Sequence, residues 1–130
     1  MKSILAVMIA AVVALPGAAS AALTKDQYRA EKQRIEKQHE SAKSLCKSHS
    51  GNARDVCEAE AKGRSKVALA ELEERNEPST RNRYNLKIAK AESEYDVARE
   101  KCDERTGNSK DACVQEARAA LARDKANAKQ

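Results

Sequence analysis

The chain has no phenylalanine, no tryptophan and only three tyrosines in 130 residues. Proteins that hold single-stranded nucleic acid usually stack bases on aromatic rings beside a clustered basic groove. Here aromatic rings are scarce, and 25 Lys and Arg are interspersed with 20 Asp and Glu, with no basic block. Nucleic-acid binding is excluded on both counts. There are only four glycines and two prolines, and valine, isoleucine and threonine are sparse. No stretch alternates polar with apolar residues as a half-buried strand does. A glycine-rich phosphate loop, a Cys-x-x-Cys pair and a nucleophile spaced to a base are all absent. The carboxylates lie among Lys and Arg at helical spacing, which makes them a solvated face. Neither an enzyme nor a cofactor is expected.

What the chain does contain begins with a leader. Met1, Lys2 and Ser3 are followed by an unbroken apolar run from Ile4 to Leu15, then Pro16-Gly17 and Ala19-Ser20-Ala21. This is the pattern of a secretory signal peptide cut between Ala21 and Ala22. The run is well short of the roughly 20 apolar residues that span a bilayer, so the mature chain is expected to carry no transmembrane segment. The cleavage site has no cysteine for lipid attachment. A short Ala-rich signal suggests a bacterial host, and the expected destination is the periplasm or the outside of the cell.

The mature part states one motif twice. Cys46-Lys-Ser-His-Ser-Gly-Asn-Ala-Arg-Asp-Val-Cys57 returns 56 residues later as Cys102-Asp-Glu-Arg-Thr-Gly-Asn-Ser-Lys-Asp-Ala-Cys113. Tyr28 matches Tyr84, Glu36 matches Glu92 and Ala61 matches Ala117 in the same register. Such internal repetition defines the architectural unit. The expected organisation is a signal peptide over 1–21, one unit over 22–77 and a second over 78–130.

Ala, Glu, Lys, Arg and Gln dominate both units and are strong helix formers. Thr24-Lys-Asp-Gln27 is a capping box, with Leu23 before it as a staple residue. Gly51 suits a left-handed helix end, Asn52 suits the N-cap of the next helix, and Gly107-Asn108 repeats the device. Asn76-Glu77-Pro78-Ser79 stops one helix and caps another. The prediction is all-α: four antiparallel helices, roughly 24–48, 53–75, 80–105 and 109–127, arranged as two tandem hairpins.

The third helix carries a heptad seam of Tyr84, Ile88, Ala91, Tyr95, Ala98 and Cys102. The first has Tyr28, Lys32, Ile35, His39, Ala42 and Cys46 in the same register, so its packing face is weaker. The facing helices supply Val56, Cys57, Ala61, Val67, Ala68 and Leu72, and then Cys113, Val114, Ala117, Ala120 and Leu121. Beyond Ala21 the chain has only twelve Leu, Ile and Val residues. A composition this poor in large aliphatics approaches that of disordered chains, and something besides a core must hold the hairpins. Glu58 with Lys62, Glu60 with Arg64 and Glu71 with Arg75 have the favourable i,i+4 order, each pair worth about 0.2–0.5 kcal/mol.

The cysteines add more. Four cysteines in a small exported chain imply disulfides. With a tight turn at each Gly-Asn, Cys46 can bridge to Cys57 and Cys102 to Cys113, each closing a short loop worth about 3 kcal/mol. Four cysteines allow three pairings. A continuous helix through each Cys-x10-Cys would instead bridge between helices, and the Gly-Asn break in both copies argues against it. A metal reading joins Cys46, His49 and Cys57, with His39 two turns earlier, as a thiolate and imidazole set suited to copper(I) or zinc. The second unit has Arg105 and Tyr95 where His49 and His39 stand. What the units share is cysteine plus turn, so no metal is expected.

The leader, Leu-Thr-Lys-x-x-Tyr from Leu23 to Tyr28, and the doubled Cys-x4-Gly-Asn-x-[Lys/Arg]-Asp-x-Cys motif resemble a group of small exported proteobacterial proteins of unknown function. These are often labelled TolA-like or cell-envelope biogenesis proteins. The resemblance implies a non-enzymatic helical protein of the periplasm that acts through its polar, mixed-charge outside on a protein or another envelope component. An alternative is a stress or chaperone-like binder, since Leu23-Thr24-Lys25-Asp26-Gln27 matches the Leu-Thr-x-x-Gln motif of the Spy and CpxP proteins. A copper or zinc buffer is the third.

Overall fold

The capping box at Thr24 forms as its spacing predicts. The Gln27 backbone N–H donates to Thr24 Oγ1 at 3.2 Å, and the Thr24 N–H donates to Gln27 Oε1 at 2.9 Å. The structure, a computed structural model, describes residues 22–130. The reading of residues 1–21 as a signal peptide lies outside the described residues. From Thr24 run four helices: α1 (Lys25–Cys46), α2 (Gly51–Asn76), α3 (Thr80–Cys102) and α4 (Gly107–Ala128). Their bounds differ from expectation by a few residues, and the described residues include no strand.

The turn between α1 and α2 departs from expectation in one detail. Gly51 takes a left-handed φ of 55° and Gly107 one of 56°, a conformation that costs other residues about 1–2 kcal/mol. That sharp reversal lets the helix begin at the glycine itself. Ser50 and Thr106 are therefore the N-caps, without a side-chain cap bond. Asn52 is thereby drawn inside the first turn of α2, where its Nδ2 donates to the Glu100 carbonyl of α3 at 2.6 Å. Asn108, its counterpart, is exposed. Between the units, Ser79 caps α3 by accepting from the Asn82 N–H at 3.0 Å.

Two disulfides close the hairpins, Cys46–Cys57 and Cys102–Cys113, with Cα–Cα separations of 5.5 and 5.6 Å. Among the described residues no cysteine is free. Two disulfide-stapled helical hairpins is thus the architecture.

Among the described residues each helix packs only against its neighbours in the chain, and the most extensive interface is α2 with α3. The hairpins are joined, but not into a closed four-helix bundle. They form a single layer of four antiparallel helices. Because a single layer has no interior, burial is confined to seams between adjacent helices: Ile35, Cys46, Ala61, Leu72, Ala89, Ala91, Cys102, Ala117 and Ala128 are the buried apolar residues.

The charges meet across these seams. Glu60, Glu71 and Arg75 do not close the along-helix pairs expected from their spacing. Glu60 reaches Lys101 at 3.7 Å and Glu71 reaches Lys90 at 3.4 Å, both on α3, while Arg75 reaches Glu31 on α1 at 3.5 Å. Glu58 pairs with Arg54 at 2.9 Å. Glu60, Glu71 and Arg75 thus find opposite charges on the adjoining helix, a choice that single-helix spacing does not reveal. The Tyr28 hydroxyl likewise donates to Glu73 of α2, and that bond raises the tyrosine above its ordinary pKa.

Candidate functional site

The α2–α3 joint is built on a glycine inside a helix. Gly63 is buried, and a Cβ added there would lie 3.0 Å from Ser93 Cβ. Ser93, 8 % exposed, donates its hydroxyl back to the Ala89 carbonyl at 2.7 Å, which satisfies it beside the Gly63 backbone. The absent side chain lets the helices approach closely, and the surface dips where they meet.

On one face of the layer this dip is a groove of about 610 Å³. Its floor is Gly63, Val67, Ser93, Val97 and Ala98, and its rims carry Glu60 and Arg64 from α2 and Lys90, Glu94 and Lys101 from α3. Arg64 follows Gly63 and Glu94 follows Ser93, so these opposite charges stand level on opposite rims. Neither enters an ion pair among the described residues, whereas Glu60–Lys101 and Glu71–Lys90 do close across the same joint. On the opposite face, the furrow between the same helices is lined by Asp55, Glu58, Lys62, Asp96, Arg99 and Glu100, with only Ala59 apolar.

A second junction gathers three helices. Glu92 of α3 pairs with Lys66 of α2 through one oxygen and with Lys125 of α4 at 2.9 Å through the other. The Lys66 hydrogen bond first, and the Lys125 bond second, hold the Glu92 carboxyl below its ordinary pKa. A carboxyl lowered by folding contributes stability above its unfolded pKa and loses it as pH falls through the folded value. Acidification should therefore loosen this junction. Glu92→Gln is expected to flatten the decline of the thermal midpoint between neutral pH and about pH 3, at a neutral-pH cost below about 1 kcal/mol since the side chain is one-third exposed. Thermal unfolding at stepped pH checks this.

The residues considered for metal binding stand apart from both features. The sulfurs of Cys46 and Cys57 are bonded to each other, so the set lacks a thiolate. His39 Nδ1 lies 3.3 Å from the Ala61 carbonyl oxygen, which accepts from it in the Nδ1-protonated tautomer. His49 is exposed in the turn after Cys46. Among the described residues no three His, Cys, Asp or Glu side chains converge as a cation site. No helix among the described residues is long and apolar enough to cross a membrane.

Sequence reasoning treated Val67 as a packing residue against α1 and did not single out Gly63, Ser93, Arg64 or Glu94 as a site. The available signal was Gly63 itself: an isolated glycine in a helical pattern points to close packing, and its counterpart in the second unit is Ala119. Compared with protein-family models, with curated proteins and with solved structures, the chain matches none.

Proposed function

We propose that this protein is a non-enzymatic interaction or scaffold module of the bacterial periplasm, binding a protein or another envelope component through its polar, mixed-charge surface. The observation that carries the reading is the single layer of helices. Such a plate offers two broad faces and little interior, and two disulfides hold its hairpins without a large core. Disulfides persist in oxidising compartments, which agrees with the leader pattern and with the resemblance to small exported envelope proteins. The face lined by Asp55, Glu58, Lys62, Asp96, Arg99 and Glu100 is the one offered to the partner. Its charges select partners by complementarity rather than by apolar area.

Crosslinking in living cells followed by capture from the envelope fraction tests the proposal. The wild type should recover a small, reproducible set of envelope proteins, and Lys62→Glu with Arg99→Glu should lose it while keeping helicity. Recovery that does not change with those reversals sinks the reading. A chaperone-like role has one observation in its favour, the apolar floor between Val67 and Val97. Suppression of aggregation of an unfolded client at stoichiometric amounts, lost in Val97→Glu, would support that role instead.

A further inference from the structure

We infer that the groove between α2 and α3 is the face on which a second copy of this chain stacks, giving a twofold symmetric two-layer dimer. Helices normally bury one stripe against a second layer, and the described residues supply no second layer. The groove is where it is missing. Gly63, Val67, Val97 and Ala98 form an apolar floor on a protein with few large apolar residues.

The rim charges identify the occupant. Along the groove side of α2 and α3 opposite signs face one another: Glu60 with Lys101 and Arg64 opposite Glu94 within the groove, Glu71 with Lys90 at its end, and Glu74 with Arg83 at 4.0 Å beyond it. A twofold axis running along the groove, parallel to the helices, lays α2 of one copy over α3 of the other at the same level. Each acid then meets a base of the second copy, and each base an acid, all along the groove. Arg64 and Glu94, unpaired among the described residues, acquire partners twice over. An isologous contact of this kind is self-complementary by construction. Apolar contact at the floor supplies the affinity, and the exposed rim charges set register and partner choice.

Two other ways of joining copies are disfavoured by the same residues. Stacking through the opposite face would set two like furrows together, each lined by four carboxylates and two cations, with only Ala59 of each as apolar contact. Extending the row by placing α4 on α1 of the next copy fails because Ala119 and Lys37 occupy the positions of Gly63 and Ser93. The added Cβ would meet the neighbouring helix at the distance that Gly63 avoids. The pairs of the joint are lost as well: Glu116 would face Leu45, and Asn127 would face Arg34. The contact therefore closes at two copies.

The test uses the oxidised protein purified from cells expressing the full chain, followed by sedimentation equilibrium. The wild type should be a dimer. Arg64→Glu and Glu94→Arg should each weaken self-association at least about tenfold, because each reversal sets like charges together at two symmetric places. Circular dichroism should show the helicity of both unchanged. When the two variants are mixed, the carboxylate introduced in the first meets the guanidinium introduced in the second. The native Arg64–Glu94 pair forms on the other rim, so a heterodimer should appear. A wild type that stays monomeric to about millimolar concentration overturns the proposal, as does self-association indifferent to both reversals. If the wild type is monomeric and Arg64→Glu abolishes capture of an envelope protein, the groove belongs to a foreign partner and the second copy is ruled out. Failure to capture any envelope protein overturns the proposed function alone and leaves the dimer standing.

Discussion

Reducing both disulfides is expected to free α1 from α2 while α4 stays docked on α3. Among the described residues both outer helices have a neighbour on one side only, so each depends on one seam and one staple. The α1 seam buries Ile35 and Cys46, with exposed Lys32 and half-buried His39 between and around them. The second hairpin has Ile88 and Tyr95 at the positions of Lys32 and His39, and Lys125 adds its bond to Glu92. Of the side-chain ties that α1 retains, those from Tyr28 to Glu73 and from Glu31 to Arg75 are surface contacts, worth at most about 1 kcal/mol each, and the third is the single 3.3 Å contact of His39 Nδ1 with the Ala61 carbonyl. Each staple contributes about 3 kcal/mol by closing a short loop, against a total of about 5–15 kcal/mol for a typical small protein. Hydrogen exchange should therefore show the amides of 25–46 losing protection on reduction before those of 107–128. Replacing Cys46 and Cys57 together by alanine should reproduce the loss over 25–46. Equal loss in the two outer helices, or earlier loss in α4, would refute the asymmetry.

The parts of this fold legible in the sequence are those set by local chemistry. The Thr24 and Gln27 pair, the Ser79 cap and the left-handed glycines act within a few residues, so their spacing alone carries the signal. Duplication did the rest, because a cysteine pair straddling a turn in two copies implies two hairpins. What the spacing did not contain is which helices lie side by side. Glu60 and Glu71 each have a cation four residues ahead, yet both meet cations of α3. Asn52 has the chemistry of an N-cap, and it instead joins the two units through the Glu100 carbonyl. These residues have a local use and a long-range use of similar energy, and packing decides between them. The groove was hidden for the same reason: Val67 and Val97 belong to different repeats and become neighbours only through the one interface that the duplication does not contain twice.

That interface is where a single substitution should do most harm. Gly63→Leu is expected to destabilise the protein by several kcal/mol and to part α2 from α3, since even a Cβ at this position sits 3.0 Å from Ser93 Cβ. Carbon atoms pack best at about 3.5–4.0 Å, and both atoms are fixed to helix backbones, so the helices themselves must move. Gly63→Ala separates the competing effects. Alanine favours the helix by about 1 kcal/mol over glycine, whereas overpacking a tight site costs about 1–3 kcal/mol. The expected net result is a loss of about 1 kcal/mol in spite of the better helix former. Ser93→Gly removes the Cβ and hydroxyl that obstruct residue 63 and leaves only its Cα, 3.7 Å from the added carbon, an ordinary contact. Made alone, Ser93→Gly should cost stability through helix propensity and the opened space. In the double variant Gly63→Ala with Ser93→Gly, the small residue has moved from one helix to the other, and the pair should be more stable than the sum of the single effects by at least about 1 kcal/mol. Urea unfolding of the four proteins measures that coupling. Strict additivity would mean that the helices separate freely at this point, and then neither the close joint nor the groove above it owes its shape to Gly63.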